Sequence, residues 1–343
     1  MNKKDRADDI IYDISVIICA YTEERWSQLI QAVASIQRQS IPVREIIVVI
    51  DHNPALLERA QAYVFSMTPA ATIVENSRNR GLSGARNSGI ALAQGKLIAF
   101  LDDDAIAEPD WLERLAHGCQ RPNVLGVGGV VEPLWMVKKP AWFPHEFYWV
   151  LGCSYQELHD AIIEVRNPYG GCTCIQREVF DTIGVYCEEI GRVGSHLFGG
   201  EETELCIRAT QRWPDKVFLC DPHARIHHYI SPARARLSYF LKRCYAEGVS
   251  KALITDHVGA KDSLASELAY TLVTLPKGIA RGLISGIFQC QPTGFLRAGA
   301  IIAGLLMTTV GYFAGHFSQY TANKKINIHA HQKSEKSFHI NFL

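Results

Sequence analysis

Lys96-Leu-Ile-Ala-Phe-Leu-Asp-Asp-Asp104 decides how the chain folds. Leu97 to Leu101 are apolar without alternation, as in a strand buried on both faces, and the run stops on three carboxylates. Two earlier runs have the same character, Ile14-Ser-Val-Ile-Ile-Cys19 and Ile46-Ile-Val-Val-Ile50, and Thr72-Ile-Val74 is a shorter one. Between them, Arg25 to Gln37 carries Trp26, Leu29, Ile30, Val33 and Ile36 at helical spacing. Pro54 to Val64, Ser83 to Ala93 and Pro109 to Gly118 also read as helices, two of them with Pro in the first turn. Strands and helices that alternate through short loops predict a doubly wound parallel sheet covered by helices.

Ligands of such sheets sit beyond the carboxyl ends of the strands. The polar residues there are Tyr21 to Glu24, Asp51 and Asp102 to Asp104. A single Asp after a strand is ordinarily a turn residue or a cap. Three adjacent carboxylates repel one another unless a cation or a donor-rich ligand sits among them, so the triplet is expected to hold a divalent metal.

The whole chain supports an enzyme-sized globular protein. It has 343 residues, 48% of them apolar, with 35 basic and 35 acidic side chains. That apolar fraction excludes global disorder, and the charge balance argues against a nucleic-acid binder. Ten cysteines occur without any Cys-x-x-Cys pair, which predicts reduced, buried thiols in a cytoplasmic protein.

Later motifs complete a pattern. The Arg80-Gly81 turn leads into Ala85-Arg86-Asn87-Ser88-Gly89; then come Asn167-Pro-Tyr-Gly170-Gly171 and Gly200-Glu201-Glu202-Thr203-Glu204-Leu205. Together with Tyr21, Asp51 and Asp102 to Asp104 at strand ends, this fixed order resembles the family-2 glycosyltransferases of GT-A fold over roughly residues 12–250. The runs Asp51-His-Asn-Pro54, Gly81-Leu-Ser-Gly-Ala-Arg-Asn87 and Glu201 to Arg208 are similar to a subgroup that includes glucosyl-dolichyl-phosphate glucuronosyltransferase-like enzymes.

The resemblance implies an inverting transfer of a sugar from a UDP- or GDP-linked donor to a hydroxyl acceptor, a lipid-linked sugar or a growing glycan. Tyr21, Glu23, Asp51, Arg86, Asp102 and Asp103 would bind the nucleotide sugar. Asp104, with Asp102, would hold Mn²⁺ or Mg²⁺, because hard cations take carboxylate oxygens. A third metal ligand in the family resembles His227 or His228, and the residues alone do not choose between them. The family's general base lies in a Glu-Asp pair at a helix start; here Glu202 aligns with it, with Glu201 as the alternative. Gly170 and Gly171 belong to the acceptor side. Glu204 and Arg208 are spaced for a plain helix ion pair. Two other classes remain in view. A nucleotidyltransferase would show a Gly-rich basic loop after the first strand, where Ala20 to Glu24 has none. A non-catalytic nucleotide-sugar-binding protein would not need both the Asp triplet and the Glu pair.

The expected organisation is a tail over 1–13, a nucleotide-sugar-binding half over 14–130 and an acceptor-binding half over 131–250. A helical membrane-associated region over 251–322 and a polar tail over 323–343 follow. Leu268 to Ser334 contains no acid, and Ala298 to Phe317 contains no Lys or Arg, long enough for a bilayer core of about 30 Å. Leu268 to Phe288 carries Pro276, Lys277 and Arg281 and reads as an interfacial helix. Lys324, Lys325, Lys333 and Lys336 follow the apolar stretch, and attachment to the cytoplasmic face of the cell membrane is expected.

Overall fold

The computed structural model describes residues 13–67, 71–155, 160–194, 197–259 and 265–339, with side chains of the last helix described to 318. Of the tail expected over 1–13, only Asp13 lies within the described residues.

The elements of the first half run β1 (Ile14–Ala20), α1 (Trp26–Gln37), β2 (Glu45–Ile50), α2 (Pro54–Met67), β3 (Ala71–Glu75), α3 (Leu82–Leu92), β4 (Leu97–Asp102), β5 (Ala105–Ala107) and α4 (Trp111–Cys119). The second half continues with β6 (Val124–Trp135), a 3₁₀ segment (His145–Leu151), β7 (Ile163–Val165), β8 (Cys172–Gln176), α5 (Arg177–Ile183), α6 (Glu201–Arg212), β9 (Val217–Ile230) and α7 (Leu237–Val258). A short α8 (Ala265–Ala269), a π-helical turn (Tyr270–Thr274), α9 (Leu275–Phe288) and α10 (Thr293–His339) follow. The last helix thus continues through most of the stretch expected as a polar tail.

The strands form one sheet in the order β3-β2-β1-β4-β8-β6-β9-β5, with β7 pairing β9. β3, β2, β1 and β4 are all parallel, as the unbroken apolar runs require. Beyond β4 the sheet is mixed: β8 is antiparallel to β4 and β6, while β6 and β9 are parallel. Helices cover both faces, so Ile17, Val48 and Phe100 are all buried.

Topology positions the site. The chain winds from β1 outward through β2 and β3, then returns to β4 on the other side of β1. This reversal opens a crevice at the carboxyl ends of β1 and β4, where Cys19 pairs with Asp102. Antiparallel β8 sets Cys172 opposite Leu101, which brings Gly171 beside Asp102. Antiparallel β9 sets His228 opposite Ala105, one residue beyond Asp104.

α7 packs along α10 at van der Waals closeness. A Cβ on Gly248 would overlap the carbonyl of Thr308, and one on Gly311 would overlap the carbonyl of Tyr245. α9 folds back on α10 through Gly282 and Gly294. The outward side of this hairpin exposes Leu283, Ile284, Ile287, Phe288, Phe295, Leu296, Ile302, Leu306 and Val310.

Candidate active site

A cavity of about 960 Å³ lies over the crevice. Tyr21, Asp51, Arg86, Asp102, Asp103, Asp104, Gly170, Gly171, Glu201, Glu202 and His228 all line it. Glu23, in a 3₁₀ turn after β1, is exposed and is not part of the lining.

The Asp triplet is neutralised in large part by the protein itself. Arg25 donates to Asp103 Oδ1 at 2.9 Å and stands 3.0 Å from Asp104 Oδ2. Arg234 approaches the same Asp104 oxygen at 3.3 Å, and His228 Nε2 lies 2.9 Å from Asp104 Oδ1. Burial opposes ionisation of Asp104, but His228, Arg234 and Arg25 outweigh it and hold the carboxyl well below the usual range. Asp103 has fewer counter-charges, and burial pushes it up to about 7. Its Oδ2 is buried without a partner among the described residues. Asp102 stays 40% exposed toward the cavity.

The ligand atoms of Asp102, Asp104 and His228 all lie within 4.8 Å of one another. Two carboxylates and an imidazole form an oxygen- and nitrogen-rich set that fits a hard divalent cation. His227 takes no part in it. Successive β9 side chains alternate between faces, and His227 turns to Glu108 Oε1 at 3.1 Å and Glu132 Oε2 at 3.6 Å. The same alternation puts Ala224, Ile226, His228 and Ile230 on the buried face. This period-two signal in Ala224-Arg-Ile-His-His-Tyr-Ile230 would have chosen His228 from the sequence.

Asp51 is held by Asn76 Nδ2 at 2.7 Å and by the Gly81 N–H at 3.0 Å, with His52 Nδ1 2.9 Å away. Carboxylate acceptor capacity remains for a further donor from the cavity. Gly81 has φ +131°, a backbone favouring glycine, and caps α3 so that its N–H meets Asp51. Further along α3, Asn87 holds the Tyr186 backbone at 2.9 and 3.0 Å, and Ser88 binds Asn76 at 2.8 Å. The Gly81–Gly89 motif is therefore a scaffold that aims one side chain, Arg86.

Arg86 is buried and joins the two halves of the site. It donates to Glu201 Oε1 at 2.9 Å and lies 3.6 Å from Asp102 Oδ1. A Cβ on Gly170 would stand 2.9 Å from its guanidinium, and one on Gly171 would overlap the Asp102 carboxylate. These glycines, expected on the acceptor side, line the cavity where they stand against Arg86 and Asp102.

Glu201 and Glu202 open α6 after Gly200, whose φ is +93°. Glu201 is locked by Arg86, whereas Glu202 is only half-buried. Burial, with the Glu201 charge second, pushes Glu202 up to about 8. Glu204 forms the expected ion pair with Arg208 at 2.5 Å.

The far wall adds charged groups that pattern reading did not single out, Arg166, Arg243, Lys251, Glu247 and Glu267, together with the aromatic Trp149, Tyr155 and Tyr270. Lys251 pairs with Glu247 at 3.3 Å and with Glu267 at 2.5 Å; Arg243 pairs with Glu247 at 2.8 Å. Leu275, Leu305, Thr308, Tyr312 and Phe313 complete this wall from α9 and α10. Arg25 and Arg234 were missed too. The only hint was a basic residue shortly after β1 and another shortly after β9.

Comparison with known proteins gives a consistent answer. The family model described as glycosyl transferase family 2 matches residues 15–184. A glucosyl-dolichyl phosphate glucuronosyltransferase of Haloferax volcanii is 34% identical over 242 residues, 70% of this chain and 77% of that protein. A mannosyltransferase from Pyrobaculum calidifontis, solved with GDP-Man and Mn²⁺, superposes with a TM-score of 0.59 at 16% identity, covering 86% of each chain. A GalNAc transferase solved with UDP, GalNAc and Mn²⁺ superposes at 0.53 and 17% identity, over 71% of this chain and 51% of that one. At such identities the two structures show the shared GT-A fold. The strand-end acids, the order of the motifs and the extent of the Haloferax match agree: the chain belongs to glycosyl transferase family 2.

Proposed function

We propose that this glycosyltransferase works by metal-dependent, inverting transfer from a UDP- or GDP-linked sugar to a hydroxyl of a lipid-linked acceptor. We place it on the cytoplasmic face of the cell membrane. The carrying observation is the composition of one cavity. Asp102, Asp104, His228 and Glu202 line it together with Leu305, Thr308, Tyr312 and Phe313 of the long apolar helix α10. A water-soluble donor meets acids and arginines at one end, and an apolar acceptor chain meets α9 and α10 at the other.

Tyr21, Asp51 and Arg86 would receive the nucleotide. Asp102, Asp104 and His228 would hold Mn²⁺ or Mg²⁺, which supplies positive charge to neutralise the departing diphosphate. Glu202 takes the proton from the acceptor hydroxyl as its oxygen bonds to the anomeric carbon and the bond to the diphosphate breaks. Attack from the side opposite the leaving group inverts that carbon. Arg86 ties Glu201, the neighbour of this base, to Asp102, so donor and acceptor halves are fixed by one guanidinium.

Attachment is read as lying in the membrane surface. The Thr293–Ser318 segment is long and apolar enough to cross a bilayer, and a third of its most apolar window is buried within the protein. Its Thr308–Gly315 stretch is pressed against α7, which carries Lys242, Glu247 and Lys251. Drawing α10 through a bilayer at that level would take these charges into hydrocarbon. Ten unpaired cysteines and the lysines after Phe317 favour the cytoplasmic side.

A donor screen tests the reading. UDP or GDP release would be measured from a panel of nucleotide sugars with Mn²⁺ or Mg²⁺ and a membrane-lipid extract. We expect release that requires both metal and lipid. Metal-independent release, or equal release without the extract, would overturn the corresponding part.

A further inference from the structure

We propose that Cys187, Glu189 and His257 form a zinc site that fastens the 187–192 loop to the end of α7. Their ligand atoms, one thiol sulfur, one carboxylate oxygen and one imidazole nitrogen, lie within 4.8 Å of one another. The set is separate from Asp102, Asp104 and His228 and shares no residue with it.

Three features distinguish the cluster from chance proximity. None of the three side chains has a hydrogen-bond or ion-pair partner among the described residues. The adjoining Glu188 is the opposite case: it accepts from Asn87 Nδ2 at 3.2 Å and from the Asn79 N–H at 3.3 Å. The loop therefore commits one acid to folding and leaves the next free. Second, Glu189 and His257 are exposed, whereas Cys187 is half-buried and packs beside Ile190, Ile207, Ile254 and Val258. A rigid sulfur with two movable partners can contract to the ligand separations that Zn–S and Zn–N bonds of about 2.3 and 2.0 Å demand. Third, His257 lies in the last turn of α7, where the helix dipole favours positive charge.

The donor chemistry selects the metal. A thiolate with imidazole and carboxylate suits zinc, with water at the fourth position, while the thiolate-free, two-carboxylate catalytic set suits Mn²⁺ or Mg²⁺. One thiolate and one carboxylate balance Zn²⁺, so the occupied site is neutral beside the Ile190 cluster.

The loop it would fasten reaches the active site. Ser83 Oγ donates to the Ile190 carbonyl at 2.6 Å, and the Leu82 N–H donates to that of Arg192 at 2.9 Å. Arg192 and Gly194 line the cavity. Without metal, among the described residues, the Cys187, Glu189 and His257 side chains give the loop no polar tie to α7. With metal, α3, the loop and α7 become one unit.

The test uses the full chain in detergent, stripped with chelator and titrated with Co²⁺ in excess Mg²⁺. Thiolate-to-cobalt charge-transfer absorption should appear, saturate at one equivalent and vanish on adding Zn²⁺. Cys187→Ser should abolish it, His257→Ala should weaken affinity by at least about tenfold, and Asp104→Asn should leave it unchanged. Hydrogen exchange reads the fastening directly. At free zinc about ten times its Kd, exchange by local opening of 187–194 should slow about tenfold in the wild type and not in Cys187→Ser. Absence of the band in the wild type, or its survival in Cys187→Ser, overturns the site. A band without slower exchange overturns the fastening.

Discussion

Glu201 and Glu202 are chemically identical neighbours that the fold makes unlike. Glu201 spends its charge on Arg86 at 2.9 Å, while Glu202 faces the cavity with a carboxyl pushed up to about 8. Glu202→Gln should therefore lower kcat by at least about a hundredfold, the usual order of a general base. Nucleotide affinity should change by less than about threefold, and Tm should hold. Glu201→Gln should act on stability first. It strips the charge from a buried ion pair and should lower stability by about 3–5 kcal/mol, read as a fall in Tm. Reversal of these two phenotypes would make Glu201 the base. The raised carboxyl also sets the pH profile. A base works only when deprotonated, so kcat should rise about tenfold per pH unit on the acid side and level off above about 8. A profile flat from about pH 6 to 9 would exclude Glu202. Asp102 and Asp104 separate in the same way. Asp102→Asn touches a 40% exposed group and should weaken Mn²⁺ by at least about tenfold with Tm unchanged. Asp104→Asn also leaves Arg25 and Arg234 short of a counter-charge and should cost stability as well.

At the scale of elements, the site depends on close approach. β8 runs so near β4 that Gly171 leaves no room for a methyl group beside Asp102. Gly171→Ala should displace the Asp102 carboxylate, costing about 1–3 kcal/mol of stability. It should raise the Mn²⁺ requirement as Asp102→Asn does. An unchanged metal titration would mean that Asp102 is not a ligand. Gly81 acts differently, through its φ of +131° and an N–H that holds Asp51. α3 thereby couples Asp51, just after β2, to Arg86, and Arg86 to the start of α6.

At the scale of the molecule, the C-terminal helices belong to the catalytic body. α10 packs into α7 and supplies a wall of the cavity, so removing residues from 268 onward would open the site and bare the apolar face of α7. Substituting the outward face is the cleaner test of membrane attachment. Leu283, Ile287 and Phe288 are 41%, 59% and 79% exposed. Changing all three to Ser should reduce co-sedimentation with lipid vesicles by at least about tenfold, because each buried apolar side chain is worth about 1.5–3 kcal/mol. Tm should stay within about 2 °C. Unaltered vesicle binding would remove this face from the proposed membrane contact.

The sequence by itself determined the parallel core and the strand-end acids. Unbroken apolar runs need burial on both faces, and a chain leaving such a strand must place its polar residues at the rim. It also determined the Glu204–Arg208 pair, since i,i+4 neighbours meet on any helix. β5 and β7 were not legible because three residues carry no period, and β6, rich in glycine, lacks the apolar density of the first strands. Only tertiary structure decided the rest. Arg25 and Arg234 reach Asp104 from points 79 and 130 residues away in sequence, distances over which no local pattern extends. The unlike surroundings of Glu201 and Glu202 were decided by which of them met Arg86, 115 residues before Glu201. Periodicity reports which face a residue occupies; it carries no information about which other segment will be found opposite that face.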